Sequence, residues 1–323
     1  WASKLKWVKE NEPHIYEKIY KYMLPGDYIA YKLTGEINTT RNGLSEGIIW
    51  DYKENQTANW LLSFYGIDSS LTPEIIDNFS NQGITNSKSS EETGLNIGIP
   101  ITYRAGDQPN NALALNVFDN GEVAASGGTS GVIYSITNDI NSKEPSRINH
   151  FAHVNYNDNN KSIGKLLCIN GAGIQYRWLR NHSVGKSYEK MNEAASSIPV
   201  GSEGISVIPF GNGAERMLNN KNIGTHICNI NLNQHSHGHL YRSSLEGIAF
   251  SFMYGMEILK NDNALINVVR AGNDNLFRSK IFANTVATLI GHEIEIYNTT
   301  GAFGAARASG ILNDNLDSFR KKI

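Results

Sequence analysis

Apolar residues recur along the chain in two patterns, one helical and one extended. From Leu240 to Leu259 they form one face at the spacing of an amphipathic helix. Short apolar runs at 131–136 and 205–210 predict strands. The order of these elements favours an α/β domain over a helical bundle, because strands precede the long helix and a strand, a loop and a further helix follow it.

The first hundred residues alternate helical and extended patterns. Apolar positions between Leu5 and Met23 predict amphipathic helices interrupted near Pro13. Residues 57–64 and 72–79 are predicted as two further helices. Pro73, near the start of the second, suits a first helical turn.

Composition excludes several classes of protein. The 323 residues carry 29 Lys and Arg against 31 Asp and Glu, a net charge of −2, with no basic run dense enough to bind nucleic acid. No apolar run is long enough for a membrane span.

The two cysteines, Cys168 and Cys228, lie in apolar, strand-like contexts. This predicts buried free thiols and a reducing compartment, with the cytoplasm as the default location. Four tryptophans are predicted to anchor the core: Trp1, Trp7, Trp50 and Trp60.

Two glycine-rich segments carry the candidate chemistry. Asp107 stands in a glycine-flanked turn at 105–109, and the run 127–131 follows it. A carboxylate ahead of a glycine-rich hairpin suits a proton acceptor facing a bound triphosphate. Taken singly, the Asp is an ordinary turn residue and the glycine run an ordinary hairpin. Further glycine-containing segments at 171–175, 211–216 and 270–275 favour the functional interpretation.

Read in order, these segments resemble the FGGY family of carbohydrate kinases, in particular its xylulose kinases. The resemblance covers nearly the whole chain, and an ordered series of matches is far more specific than any one of them. Its motifs are residues 4–13, 24–28, 33–36, 106–108, 128–131, 213–216, 245–248, 271–275 and 301–307.

The resemblance implies an α/β, ribonuclease-H-like (actin/hexokinase-type) two-domain fold with a central cleft. Residues 1–120 would be the C-terminal part of the sugar-binding domain and residues 121–323 the nucleotide-side domain. Members of the family begin with a strand that carries an Asp-x-Gly-Thr phosphate loop, and this sequence has no such loop. We therefore expect a longer protein, and we expect residues 1–323 alone to turn nothing over. The polar stretch 313–315 is consistent with a further missing piece.

The resemblance also assigns site residues. Asp107 falls at the position of the general base, and Gln108 would bind a sugar hydroxyl, with a structural amide as the alternative. Gly128, Thr129 and Ser130 would present N–H groups and a hydroxyl to the phosphates of ATP. Gly171 and Gln175 would contact the nucleotide, although a helix-surface role for the glutamine is nearly as good. The remaining nucleotide-side residues are Gly272 and Asn275, which match the loop that closes over adenine and ribose.

The implied co-substrates are ATP with Mg²⁺ and a small sugar, and no metal ligand is assigned in this chain. His235, His237 and His239 alternate in a way that makes zinc conceivable, but we favour a surface loop ahead of a helix. D-Xylulose is the leading substrate, with glycerol, ribulose or gluconate behind it. A nucleotide-binding module without sugar kinase activity is the alternative from another class. A homodimer is possible; nucleic acid and membranes are not expected partners.

Overall fold

The computed structural model describes residues 1–183, 187–311 and 316–321, except the side chain of residue 317. The stretch 313–315, noted above for its polarity, lies outside them. The chain forms two compact units. Unit 1 contains residues 1–118, 150–164 and 300–323, and unit 2 contains residues 119–149 and 165–299. The chain therefore returns to unit 1 twice, at 150–164 and at 300–323. Within the described residues, no helix is long and apolar enough to cross a membrane.

Unit 1 is built mostly of short helices. Its small core joins aromatic and aliphatic side chains from distant segments, such as Tyr103, Leu113 and Phe319. Two short strand pairs, β1 with β4 (parallel) and β2 with β3 (antiparallel), accompany the helices. The elements are α1 (Ala2–Asn11), α2 (Pro13–Tyr16), α3 (Pro25–Thr34), β1 (Asn38–Thr40), α4 (Arg41–Glu46), β2 (Trp50–Asp51), β3 (Gln56–Thr57), α5 (Asn59–Phe64), β4 (Glu74–Ile76), α6 (Ser87–Thr93), α7 (Asp107–Ala114), α12 (Gly301–Ala308) and α13 (Leu316–Arg320).

Unit 2 is built around a mixed sheet. The six-stranded sheet has the order β12-β11-β5-β6-β8-β7; β11 runs parallel to β5 and β12, whereas β5 and β6 form an antiparallel hairpin. The chain passes between the units along β7 and β8. The elements are β5 (Glu122–Gly127), β6 (Gly131–Thr137), β7 (Asn149–Ala152), β8 (Ile163–Ile169), α8 (Ala172–Asn181), α9 (Tyr188–Ser196), β9 (Ser206–Phe210), β10 (Gly224–Cys228), α10 (His237–Asn261), β11 (Val268–Gly272), α11 (Lys280–Ile290) and β12 (Ile294–Tyr297).

Helix α10 is the central helix of unit 2. Its apolar face enters the main core, where Phe252 makes edge-to-face contacts with Phe277 and Phe282 at ring distances of 6.0 and 5.5 Å. Its N-cap is Ser236, whose backbone N–H donates to Nδ1 of His239 at 3.0 Å. The His239 side chain thus satisfies the backbone N–H of the N-cap residue. The predicted helix 240–259 and the strands at 131–136 and 205–210 are confirmed.

Several predictions from the sequence are wrong. Residues 72–79 form no helix; β4 lies there instead, paired with β1. Cys228 is exposed at the end of β10, which pairs with β9 in a separate two-stranded sheet, and Cys168 is only half-buried. Of the four tryptophans, only Trp50 is buried, whereas the other three, Trp1, Trp7 and Trp60, are 36%, 55% and 66% exposed.

Candidate active site

Asp107 is the first residue of α7, and Gly106 is the N-cap. The Asp107 side chain is exposed, and its Oδ1 accepts a hydrogen bond from the Gln108 N–H at 2.7 Å. A carboxylate in the first helical turn is favoured by the N-terminal end of the helix dipole. Gln108 follows it on the helix and is half-buried. Asp107 and Gln108 are thus the first two residues of α7.

A network of polar side chains fixes the segment that leads into α7. Arg104 Nε donates to Asp27 Oδ1 at 2.8 Å, and its Nη2 donates to the backbone and side-chain oxygens of Asn38 at 2.8 and 2.7 Å. Arg104 Nη1 also reaches Gln82 Oε1 at 3.1 Å. Burial raises the pKa of Asp27, and the charge of Arg104 opposes that rise. Because these partners come from separate elements, the network holds the Asp107 turn in one position.

Helix α12 packs closely on α7. Gly304 allows the approach, because a Cβ at this position would lie 2.7 Å from both the Ala114 Cβ and the Asn110 backbone oxygen. Asn110 Nδ2 in turn donates to the Ala105 oxygen at 2.8 Å. Glycine at 304 therefore helps to set the position of the helix that carries Asp107.

A second carboxyl group, Glu46, lies beside the Asp107 turn. It is the last residue of α4, and burial raises its pKa to about 7, with repulsion from Asp107 adding to the shift. Sequence reasoning missed Glu46, because neither its burial nor its nearness to α7 has a local sequence signal.

Unit 2 contains a cavity of about 730 Å³. This volume lies in the usual range for small-molecule sites. Three of the residues assigned to the nucleotide line it, namely Gly128, Thr129 and Asn275. Tyr176, which also lines the cavity, stacks on Tyr188 with ring centres 5.7 Å apart. The cavity thus joins exposed backbone to an aromatic surface.

Two cationic side chains, Arg177 and Arg278, also line the cavity. Guanidinium groups recognise phosphate oxygens well, because their N–H groups form a planar fork. Sequence reasoning missed both. A signal was available for Arg278, which lies just after the 270–275 segment.

The β5–β6 hairpin is tied to the first turn of α8. Gly173 N–H donates to Gly128 O at 2.9 Å, and Ile174 N–H donates to Thr129 O at 3.1 Å. A Cβ at Gly173 would lie 2.3 Å from Gly128 O, so only glycine permits this approach. Ser130 Oγ donates to Asn170 Oδ1 at 3.1 Å and does not line the cavity.

The other three assigned residues do not line the cavity either. Gly171 has a φ of +95°, and a Cβ there would lie 2.0 Å from Pro209 O, so its glycine serves backbone packing. Gln175 is buried and accepts from Thr225 Oγ1 at 2.9 Å. Gly272 ends β11 ahead of the Asn275 turn. Their nucleotide contacts remain predictions.

Among the described residues, no group of three or more His, Cys, Asp or Glu is arranged to hold a metal ion. His239 instead caps α10 and contacts Glu203 Oε2 at 2.8 Å.

Solved structures share this fold. Xylulose kinase from Rhodospirillum rubrum superposes with a TM-score of 0.86 at 23% identity, over 99% of this chain and 64% of its own. Plasmodium falciparum glycerol kinase with ADP gives a TM-score of 0.89 at 23% identity, over 99% and 65%. The expected α/β fold of the actin/hexokinase type is thereby confirmed.

The sequence places the chain within one family of that fold. Residues 1–114 match the N-terminal domain of the FGGY family of carbohydrate kinases, and residues 123–311 match its C-terminal domain. The chain belongs to this family.

Its curated relatives include the xylulose kinase of Staphylococcus xylosus, 27% identical over 293 residues, which are 88% of this chain and 60% of the relative. The relative in Pasteurella multocida, named "Probable L-xylulose kinase", is 26% identical over 326 residues, 99% of this chain and 65% of its own. The chain thus spans less than two thirds of the length of these relatives.

Proposed function

We propose that the full-length protein transfers the γ-phosphoryl group of ATP to a hydroxyl of a small sugar, with D-xylulose as the first candidate. The observation that carries the proposal is the placement of Asp107. Its exposed carboxylate begins α7, on a turn fixed by Arg104 and by α12, in a chain that matches both FGGY domains. The names of the curated relatives support xylulose as the sugar.

In this proposal Asp107 accepts the proton of the sugar hydroxyl that attacks phosphorus, which is the task of a general base. Gln108, next on the helix, orients the sugar through its amide. Both side chains would act from the beginning of α7.

The cavity of unit 2 fits a nucleotide. Gly128, Thr129 and Asn275 would hold it through backbone and amide groups, Tyr176 would offer an aromatic face, and Arg278 would meet phosphate oxygens. ATP supplies the transferred phosphoryl group. The described residues contain no metal-holding cluster, so the Mg²⁺ that accompanies ATP is assigned no ligand here. A cytoplasmic location and a homodimer also stay proposals.

A substrate panel tests the assignment. ADP release by the full-length protein would be followed with D-xylulose, L-xylulose, ribulose, glycerol and gluconate, each with Mg·ATP. We expect the highest kcat/KM with D-xylulose. Faster turnover of glycerol than of D-xylulose would rule out D-xylulose as the preferred substrate. ATP binding without turnover of any compound would instead favour a nucleotide-binding module that is not a kinase.

A further inference from the structure

The carboxyl group of Glu46 occupies the space in which Gly106 lacks a side chain. A Cβ at Gly106 would lie 1.9 and 2.0 Å from the two Glu46 oxygens. Gly106 has an ordinary extended backbone with φ −69°, so no unusual conformation requires glycine there. Glu46 packs directly against the N-cap of α7, and a side chain at position 106 would displace its carboxyl group. The next residue of that helix is Asp107.

Glu46 is poorly compensated in this position. Its Oε1 is buried and has no hydrogen-bond partner in the described part of the chain, and no Lys, Arg or His of that part forms an ion pair with it. The titratable groups that face it are Asp107 on α7 and Asp27 on α3, together with the phenols Tyr52 and Tyr103.

Burial and two like charges all disfavour ionisation of Glu46. Its pKa is therefore raised to about 7, while a hydrogen bond from the Gly106 backbone opposes the rise. The group consequently changes charge within the physiological pH range, beside the residue proposed as the proton acceptor.

We propose that Glu46 is a positioning residue that controls how strongly Asp107 attracts the proton of the sugar hydroxyl. This inference rests on the proposed kinase function. Two neighbouring carboxylates repel each other, and the repulsion disappears when one of them is protonated. An ionised Glu46 thus favours proton uptake by Asp107.

The effect falls on the transfer step itself. The hydroxyl oxygen of the sugar forms a bond to the γ-phosphorus, and the bond from that phosphorus to the bridging oxygen breaks, with its electron pair leaving on ADP. The hydroxyl proton passes to Asp107, and Glu46 remains a carboxylate throughout. Turnover should therefore rise with pH as Glu46 ionises.

The coupling of the two carboxyl groups can be measured without catalysis. Full-length protein labelled with [δ-¹³C]glutamate would be titrated by NMR, and the resonance absent from Glu46→Gln identifies the group. We expect a midpoint near pH 7. In Asp107→Asn the midpoint should fall, since one of the repelling charges is gone. A midpoint in the ordinary range of glutamate, or one unchanged in Asp107→Asn, would overturn the proposal.

The kinetic consequence needs a pH profile of kcat/KM with the preferred sugar. Wild type should show an ionisation near pH 7. Glu46→Gln, which keeps the side-chain shape, should lack that step and at pH 8 be slower on the order of fivefold, less than the effect of one pKa unit. Glu91→Gln, at an exposed position of α6, is the matched control and should keep the wild-type profile.

The two measurements separate this inference from the proposed function. An ionisation near pH 7 that persists in Glu46→Gln would refute the role of Glu46 even if the protein is an active kinase. If no sugar is turned over, the kinase proposal fails, while the NMR titration still decides whether the carboxyl groups are coupled. Melting temperatures of the variants would show that each remains folded.

Discussion

Asp107 is the residue whose role can be tested most directly. Asp107→Asn keeps an oxygen that can accept from the Gln108 N–H, and so it keeps the start of α7. The amide cannot take up a proton, so we expect kcat to fall by roughly two to four orders of magnitude, the usual scale for general-base assistance. ATP affinity and melting temperature should change little. The measurements are steady-state kinetics, nucleotide binding and thermal unfolding of the full-length protein.

A matched control comes from Asp68, whose Oδ1 accepts from the Ser70 N–H at 2.8 Å in a similar local turn. Asp68→Asn should leave kcat unchanged. Near-normal turnover in Asp107→Asn, together with a clear loss of stability in Asp107→Ala, would make Asp107 a structural turn residue.

Single residues could be predicted from sequence where the chemistry is local. The turn at Asp107 and the hairpin at Thr129 have recognisable neighbours along the chain. Glu46 has none, because its burial depends on the packing of α4 against Gly106. Gly171 shows the converse: the sequence predicts a nucleotide contact, and the structure adds a packing reason for glycine, because a Cβ there would lie 2.0 Å from Pro209 O.

At the scale of elements, the buried ion pair of Arg104 and Asp27 links the segment that leads into α7 to helix α3. Their side chains are 10% and 5% exposed. Arg104→Met would leave Asp27 buried without its cation, and we expect a loss of roughly 3–5 kcal/mol in the free energy of unfolding. Denaturant titration of the variant measures it. Adding Asp27→Asn to Arg104→Met should recover part of the loss, because the unpaired charge is then removed.

The control for this prediction is Lys32→Met. Lys32 and Glu92 form an exposed pair at 4.0 Å, and pairs of this kind contribute about 0–1 kcal/mol. A loss in Arg104→Met no larger than that of Lys32→Met would show that the network does not hold the turn.

Elements were predictable where one periodicity dominates. Helix α10 has a clear apolar face, and its predicted span agrees with the structure within a few residues at each end. The helix predicted for 72–79 is wrong because the structure of this segment depends on a distant partner. Glu74–Ile76 pair with Asn38–Thr40 in a parallel ladder. Pro73 is compatible with either structure, so the local signal could not decide between them.

At the scale of the whole molecule, the resemblance implied two domains, and the structure forms two compact units whose boundaries are not continuous in sequence. The return to unit 1 at 300–323 places α12 beside α7. Periodicity contains no information about such returns, because they are decided by which distant faces pack together. The division into residues 1–120 and 121–323 stays a prediction for the folding units of the full-length protein.

The proposed function assigns the nucleotide to unit 2 and the sugar to unit 1, and hydrogen exchange can test this assignment. With a non-hydrolysable ATP analogue alone, amide protection should increase in segments 127–131, 172–177 and 275–279 of unit 2, because these segments line or support the cavity. With D-xylulose alone, protection should increase in 104–110 of unit 1. Both ligands should raise the melting temperature as their concentration exceeds Kd.

Segment 87–93, on α6, serves as an internal reference and should not change. Sugar-induced protection confined to the unit 2 segments, with 104–110 unaffected, would contradict the assignment of Asp107 and Gln108 to the sugar.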